Sequence, residues 1–173
     1  MSQVLKILSR KRCNRLAVTP DTTKAIISHL SAPLCNRTAA EAANVILNVC
    51  YEQKNVDIVV KQGAPAALVP LLHDPSPEVQ ANAAGALQSI CYQKPGRADI
   101  RSTDAVDSLV GLLGCDAPKV TTRVVGALHN ISSDTQAIRA IRRLVLLSHM
   151  FAGPSWNSAC RVLPLSYESC VLL

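Results

Sequence analysis

Histidine and cysteine are the side chains of this sequence most able to carry out chemistry, yet their spacing indicates neither catalysis nor metal binding. The four histidines form no H-E-x-x-H or comparable ligand pattern. The seven cysteines include no C-x-x-C pair. No G-x-S-x-G motif, phosphate-binding loop or dinucleotide fingerprint is present. The sequence therefore predicts no enzyme activity, no cofactor and no metal.

The last four residues provide one modification motif. Cys170-Val171-Leu172-Leu173 fits the C-a-a-X box, in which a final leucine favours geranylgeranyl transfer to Cys170. Stable membrane anchoring needs a second signal, and the polybasic stretch that usually supplies it upstream is absent. Because four residues can match by chance, a prenylated and an unmodified C-terminus both stay open.

A set of polar side chains recurs along the chain at a fixed interval. Residues 37–50, 78–91 and 119–132 align without gaps at a shift of 41 residues. Opposite their shared apolar positions, each segment carries polar or small residues spaced three or four apart, which places them in one ridge along a helix. Gly85 and Gly126 belong to these sets. The candidate partner-binding residues on these ridges are Arg37, Glu41, Asn44, Asn48, Asn82, Ser89, Arg123 and Asn130.

The apolar positions of the same segments indicate the helices that position this ridge. Their spacing of one, three and four residues forms a single helical stripe. Two columns recur in all three segments: Ile46, Leu87 and Leu128 in one, and Val49, Ile90 and Ile131 in the other. Residues 64–72 align with residues 105–113 at the same shift. A period of this length is typical of an all-α solenoid of stacked helical repeats.

The period divides the chain into predicted units. Residues 14–52, 53–92 and 93–133 form three repeats, each with two shorter helices before one long helix. Residues 134–151 form a partial repeat, with a short helix over 135–143, and residues 152–173 an irregular apolar tail. Pro20 and Pro95-Gly96 are predicted to interrupt helices, and Asp21 or Thr22 to cap the helix after Pro20.

The N-terminal segment, residues 1–13, admits three interpretations. Val4, Leu5 and Leu8 fall on apolar columns of the repeat, which predicts the truncated last helix of a preceding repeat. The acid-free, arginine-containing start also fits a mitochondrial transit peptide. The tetrapeptide SRKR equally fits a basic localisation patch.

Composition and charge narrow the class of protein. Nearly half of the 173 residues are apolar (49%), which suits a helical core, and no apolar run is long enough for a membrane span. The net charge of +6 comes mostly from the N-terminus, because residues 1–15 carry five cations and no acid. Residues 16–138 carry 9 cations and 11 acids, so no nucleic-acid footprint is predicted along the repeats. Cys50 and Cys91 share one column of the buried stripe, as core thiols of a reducing compartment would.

The long-helix segments AAGALQSIC and VVGALHNIS resemble the third helix of the armadillo repeat, A-A-G-A-L-x-N-L/I. The segment from Gly63-Ala64 to Leu71-Leu72 is similar to the second helix of that repeat, and the resemblance covers roughly residues 14–143. It implies a right-handed, armadillo-like superhelix with about three repeats and partial ends. It further implies a non-catalytic scaffold or adaptor, whose third helices line a concave groove for extended peptides or partner domains.

The resemblance also implies a role for two asparagines. In armadillo proteins a ladder asparagine bonds the backbone of an extended peptide through its amide donor and acceptor. Asn48 and Asn130 match that position, whereas Ser89 departs from it. Importin-α-like receptors carry a tryptophan four residues earlier, where Asn44 and glycines stand here, so nuclear-signal recognition of that type is not implied. These asparagines could instead cap or bridge adjacent helices.

Three functions stay open on the sequence alone. The first is a cytoplasmic or nuclear adaptor that holds a protein partner in the groove. The second is a membrane-associated adaptor prenylated at Cys170, and the third is a repeat fragment of a larger multidomain protein. A mitochondrial location is the further alternative raised by the N-terminal segment.

Overall fold

The computed structural model describes residues 2–31 and 36–151, and it describes side chains over 4–31 and 37–144. Its helices follow one another with short connections. In chain order they are α1 (Ser2–Leu8), α2 (Arg12–Leu16), α3 (Pro20–Ser31), α4 (Asn36–Val49), α5 (Gln53–Lys61), α6 (Ala64–Leu68), α7 (Pro77–Cys91), α8 (Lys94–Ile100), α9 (Ala105–Gly111), α10 (Pro118–Ile131) and α11 (Thr135–Phe151), with 3₁₀ turns at Pro70–His73 and Leu112–Gly114.

The three long helices form the centre of the molecule. Helix α7 packs against α4 on one side and against α10 on the other. Shorter helices stack in the same order, with α5 against α8 and α3 against α6. The described chain is therefore an all-α solenoid, as the 41-residue period predicts.

The predicted apolar columns form the core. Leu87 is 0% and Leu128 1% exposed, and the other members of both columns are equally buried. Leu68 and Leu109, which share a column in the second-helix blocks, are also fully buried. Burial raises the pKa of the Cys50 and Cys91 thiols, so both stay protonated and unreactive within the core.

Prolines begin helices in this fold. Pro20, Pro77 and Pro118 each occupy the first position of a helix, where the missing N–H costs no hydrogen bond. The predicted interruption is present, since α2 ends at Leu16 and α3 begins at Pro20, but the prediction of Asp21 or Thr22 as the cap is wrong. Thr19 is the cap, because its Oγ1 accepts from the N–H of Thr22 at 3.3 Å while its own N–H donates to the Thr22 Oγ1 at 3.0 Å.

Pro95-Gly96 was predicted to separate two helices, yet both residues lie inside α8. Gly96 is buried at the crossing of α8 and the end of α7. A Cβ built on Gly96 would lie 2.1 Å from the carbonyl oxygen of Ile90. The glycine is present because the two backbones touch, and the prediction that Pro95-Gly96 interrupts the helices is wrong.

Helix α1 forms within the N-terminal segment and packs against α4. The side chains aligned with core columns are not buried there, since Val4 is 57%, Leu5 48% and Leu8 42% exposed. No described element covers them. The alignment therefore predicts the helix correctly and the burial of its apolar side wrongly.

Residues 135–143, predicted as one short helix, belong to the continuous helix α11. Asp134 caps its start, because the carboxylate Oδ1 accepts from the N–H groups of Gln136 at 2.9 Å and Ala137 at 3.2 Å. These two hydrogen bonds, from Ala137 first and then Gln136, lower the pKa of Asp134 from its ordinary value of 3.8.

We expect the stability of α11 to depend on acid pH through Asp134. Since its folded pKa lies below the unfolded value, the contribution is complete above the unfolded pKa and is lost as pH falls through the folded pKa. Asp134→Asn keeps the capping geometry without the titrating group, so its helicity should vary less with pH. Circular dichroism of both proteins from neutral to acid pH measures this, and identical profiles would exclude Asp134 as the source.

Candidate functional site

The eight predicted residues lie on α4, α7 and α10, and we call the surface that they form the polar ridge. Arg37 and Arg123 are exposed, while Asn44, Asn82, Ser89 and Asn130 are half-buried. Glu41 and Asn48 are only 7% and 8% exposed. The structure thus places six of the eight where an external molecule can reach them, and two beneath the surface.

Side-chain amides connect α4 to α7 across the ridge. The Nδ2 of Asn44 donates to the Oδ1 of Asn82 at 3.3 Å. The Nδ2 of Asn48 donates in turn to the Oδ1 of Asn44 at 3.4 Å. A chain of three amides therefore crosses from one repeat to the next, and it holds Asn44 and Asn82 in fixed orientations.

Gln88 connects α7 to α10, although the sequence did not single it out. The Nη1 of Arg123 donates to its Oε1 at 3.3 Å, and the Nδ2 of Asn130 donates to its backbone carbonyl at 2.9 Å. Only its position in the repeat could have identified it from the sequence, because Gln88 aligns with Leu47 and His129 at the 41-residue shift. What Gln88 contacts depends on the neighbouring helix, so no pattern within one helix could identify its partners.

The ridge helices approach one another closely at two glycines. A Cβ on Gly85 would lie 2.6 Å from the Cδ1 of Leu47, and a Cβ on Gly126 would lie 2.3 Å from the Nε2 of Gln88. Leu47 and Gln88, which align at the 41-residue shift, therefore each cover the glycine of the next long helix. The prediction that these glycines belong to the open ridge is wrong for this reason.

Asn48 and Asn130 make equivalent contacts with the helix that precedes each of them. Asn130 bonds the carbonyl of Gln88 directly. Asn48 donates to the Oγ of Ser9 at 2.9 Å, and that hydroxyl donates to the carbonyl of Lys6 at 2.9 Å. Lys6 and Gln88 occupy one column of the repeat. Both amide donors thus bridge helices, the alternative left open by the sequence, and contact with a partner stays a prediction.

Two acceptors of the ridge have no donor within the described part of the chain. Arg37 donates from Nε to the Glu41 Oε1 at 3.4 Å, while the buried Oε2 of the same carboxylate is unpaired. The Oδ1 of Asn130 likewise receives no described hydrogen bond. The unpaired Glu41 oxygen is costly because it is buried, whereas the oxygen of half-buried Asn130 can accept a hydrogen bond from outside the chain.

The chemistry of the ridge is hydrogen bonding and ion pairing. Its groups are amides, one hydroxyl, two guanidinium groups and one carboxylate. Over the described side chains, no three His, Cys, Asp or Glu residues lie close enough to hold a metal ion. Within residues 2–31 and 36–151, no helix is both long and apolar enough to cross a membrane. Cys170 and the predicted tail, residues 152–173, lie outside the described residues.

Comparison with known proteins gives a family match and several structural matches. The Armadillo/beta-catenin-like repeat matches residues 52–92. An engineered protein superposes with a TM-score of 0.80 at 24% identity, covering 98% of this chain and 73% of its own. A designed armadillo repeat protein in complex with the peptide (KR)4 gives 0.79 at 20% identity, over 94% of this chain and 72% of its own. No curated protein matches in sequence.

A computationally designed armadillo repeat protein for modular peptide recognition matches with a TM-score of 0.79 and 19% identity. That match covers 94% of this chain and 72% of the designed protein. At these identities the structural matches support the fold. The repeat matched at residues 52–92 agrees with that fold and contains α5, α6 and α7.

Proposed function

We propose that this chain, in which residues 52–92 match the armadillo repeat, is a non-catalytic scaffold that binds an extended segment of a protein partner along the polar ridge. The observation that carries the proposal is the continuous set of amide and guanidinium groups across α4, α7 and α10. Inter-helix hydrogen bonds hold these groups in place before any partner arrives. Preorganised groups lose less entropy on binding than mobile ones.

The unpaired acceptor of Asn130 favours an extended backbone as the ligand. An extended segment carries N–H groups that its own chain does not pair, and the Oδ1 of Asn130 lacks a donor among the described residues. Neighbouring helices lie about 10 Å apart, which about three extended residues span at roughly 3.3 Å each. The two intervals between the three long helices total about 20 Å, so a segment of about six residues would reach from α4 to α10.

The charge of the ridge indicates the composition of the segment. Arg37 and Arg123 are its exposed charges, and Glu41 is buried beneath Arg37. The similar designed protein binds the strongly basic peptide (KR)4. The eight residues of the polar ridge do not form the acidic surface that such a peptide needs, so we infer a neutral or acidic segment here.

A peptide selected on the purified chain from a random display library tests the proposal. The double variant Asn82→Ala and Arg123→Ala should bind that peptide with an affinity at least about tenfold lower. Two polar contacts are lost, and each contributes about 1 kcal/mol to the binding free energy. The matched control is Asp107→Ala, an exposed polar residue on α9, which should bind as the original chain does.

Circular dichroism establishes that all three proteins are equally helical. Unchanged peptide affinity in the double variant, or a comparable loss in the Asp107 variant, would remove the polar ridge as the binding surface.

A further inference from the structure

The N-terminal end carries an apolar surface that the proposed function does not use. Most of the exposed large apolar side chains of the described residues lie within residues 4–16. Within residues 4–16, Ile7 is the most exposed of these side chains, at 59%. We call this set the N-terminal apolar surface, and its members are Val4, Leu5, Ile7, Leu8 and Leu16.

Unpaired cations lie along the same segment. Residues 1–15 contain five basic side chains and no acid. Arg15 is paired with Glu52 at 3.1 Å. Arg10, Lys11 and Arg12 are exposed and form no ion pair with any described residue. The apolar surface is therefore flanked by three free positive charges.

Hydrogen bonds hold this segment in one shape. The Nδ2 of Asn14 donates to the carbonyl of Leu8 at 2.9 Å and fixes α2 against the end of α1. The Nη1 of Arg15 donates to the carbonyl of Arg10 at 2.6 Å, and its guanidinium lies 5.7 Å from the ring centre of Tyr51. The exposed Tyr51 ring thereby lies against Arg15, which also holds the backbone of Arg10.

We propose that the N-terminal apolar surface, with Arg10, Lys11 and Arg12, binds the surface of an anionic lipid bilayer. Apolar side chains enter the boundary between headgroups and acyl chains, and neighbouring cations contact the negatively charged headgroups. This activity is separate from partner binding on the polar ridge. It also uses no residue of the C-terminal prenylation motif.

The charges of this end favour a bilayer over a second copy of the chain. A second copy in a two-fold contact would bring the same basic residues together, and like charges oppose that contact. Helix α1 packs against α4, and no described helix covers its exposed apolar side chains.

Co-sedimentation of the full chain with vesicles tests the proposal. The chain should bind vesicles made of equal parts phosphatidylcholine and phosphatidylserine, bind phosphatidylcholine alone much more weakly, and dissociate as salt is raised. Leu5→Glu with Ile7→Glu, and separately Lys11→Ser with Arg12→Ser, should each weaken binding at least about tenfold. Tyr92→Ser is the matched control, because Tyr92 is 71% exposed and two repeats away.

Three results would overturn the proposal. They are absence of binding to the mixed vesicles, equal binding to neutral and anionic vesicles, and full binding by both double variants. Analytical ultracentrifugation of the same proteins tests whether a second copy of the chain occupies this surface instead. Self-association that the Leu5 and Ile7 substitutions abolish, without vesicle binding, would assign the surface to a second copy. Retained peptide binding by these variants would keep the two surfaces distinct.

Discussion

Replacing Gly96 with alanine is expected to lower the free energy of unfolding by about 3 kcal/mol. The added Cβ would meet the carbonyl oxygen of Ile90 at 2.1 Å, a distance that two such atoms do not tolerate. A backbone carbonyl cannot rotate away as a flexible side chain can. Helix α8 must therefore move off the end of α7, which opens a fully buried part of the core around Ile90 and Ile100.

Gly111→Ala is the matched control for this substitution. Gly111 also lies in a helix, and nothing lies within 4 Å of a Cβ built on it. Its replacement should stabilise the protein by up to about 1 kcal/mol, since alanine restricts the unfolded chain more than glycine does. Urea unfolding followed by circular dichroism measures both. Similar effects at the two glycines would contradict the close crossing of α7 and α8.

Leu87→Ala is expected to lower the free energy of unfolding by about 4 kcal/mol, because the lost side chain leaves a cavity that rigid neighbours cannot fill. Leu87 is fully buried on α7, the helix that packs against both α4 and α10. Loosening α7 also releases the side chains of the polar ridge. We therefore expect the selected peptide to bind this variant more weakly, even at temperatures where it remains folded.

The same chemical change on α1 is the control for core burial. Leu5 is about half exposed, and Leu5→Ala should change the free energy of unfolding by no more than about 0.5 kcal/mol. Thermal or urea unfolding of the two variants compares them directly. Equal losses at Leu87 and Leu5 would show that the repeat columns do not define the core.

The period of the sequence predicted the fold because burial in a solenoid repeats with it. Ile46, Leu87 and Leu128 occupy one column and are all buried, since each faces the same kind of neighbour. The prediction failed where no described helix supplies that neighbour. Leu5 belongs to the same column, yet no described helix covers it.

Local residue rules were less reliable than the period. The interruption predicted at Pro20 is present, but the cap was predicted at Asp21 or Thr22, whereas Pro20 itself takes the first helical position, which needs no N–H donor. Gly96 was predicted to help separate two helices, whereas the crossing of two helices requires it there. Both residues have two structural uses, and the neighbouring chain decides between them.

The polar ridge could be predicted as a set of residues but not as a network. A helical pattern places Asn44, Asn82 and Asn130 on equivalent faces. It does not show that Asn130 reaches the carbonyl of Gln88, or that Asn48 is covered and bonded to Ser9. These contacts depend on the distance and register between helices. The sequence pattern of a single helix does not determine either quantity.

Photo-crosslinking with the selected peptide tests most directly whether α4, α7 and α10 form the partner-binding surface. A benzophenone amino acid would replace Ser89 on the polar ridge in one protein, and the exposed Ala66 on α6 in another. The proposed function predicts that the peptide crosslinks to the position 89 protein and not to the position 66 protein. Crosslinking at position 66 with none at position 89 would contradict it.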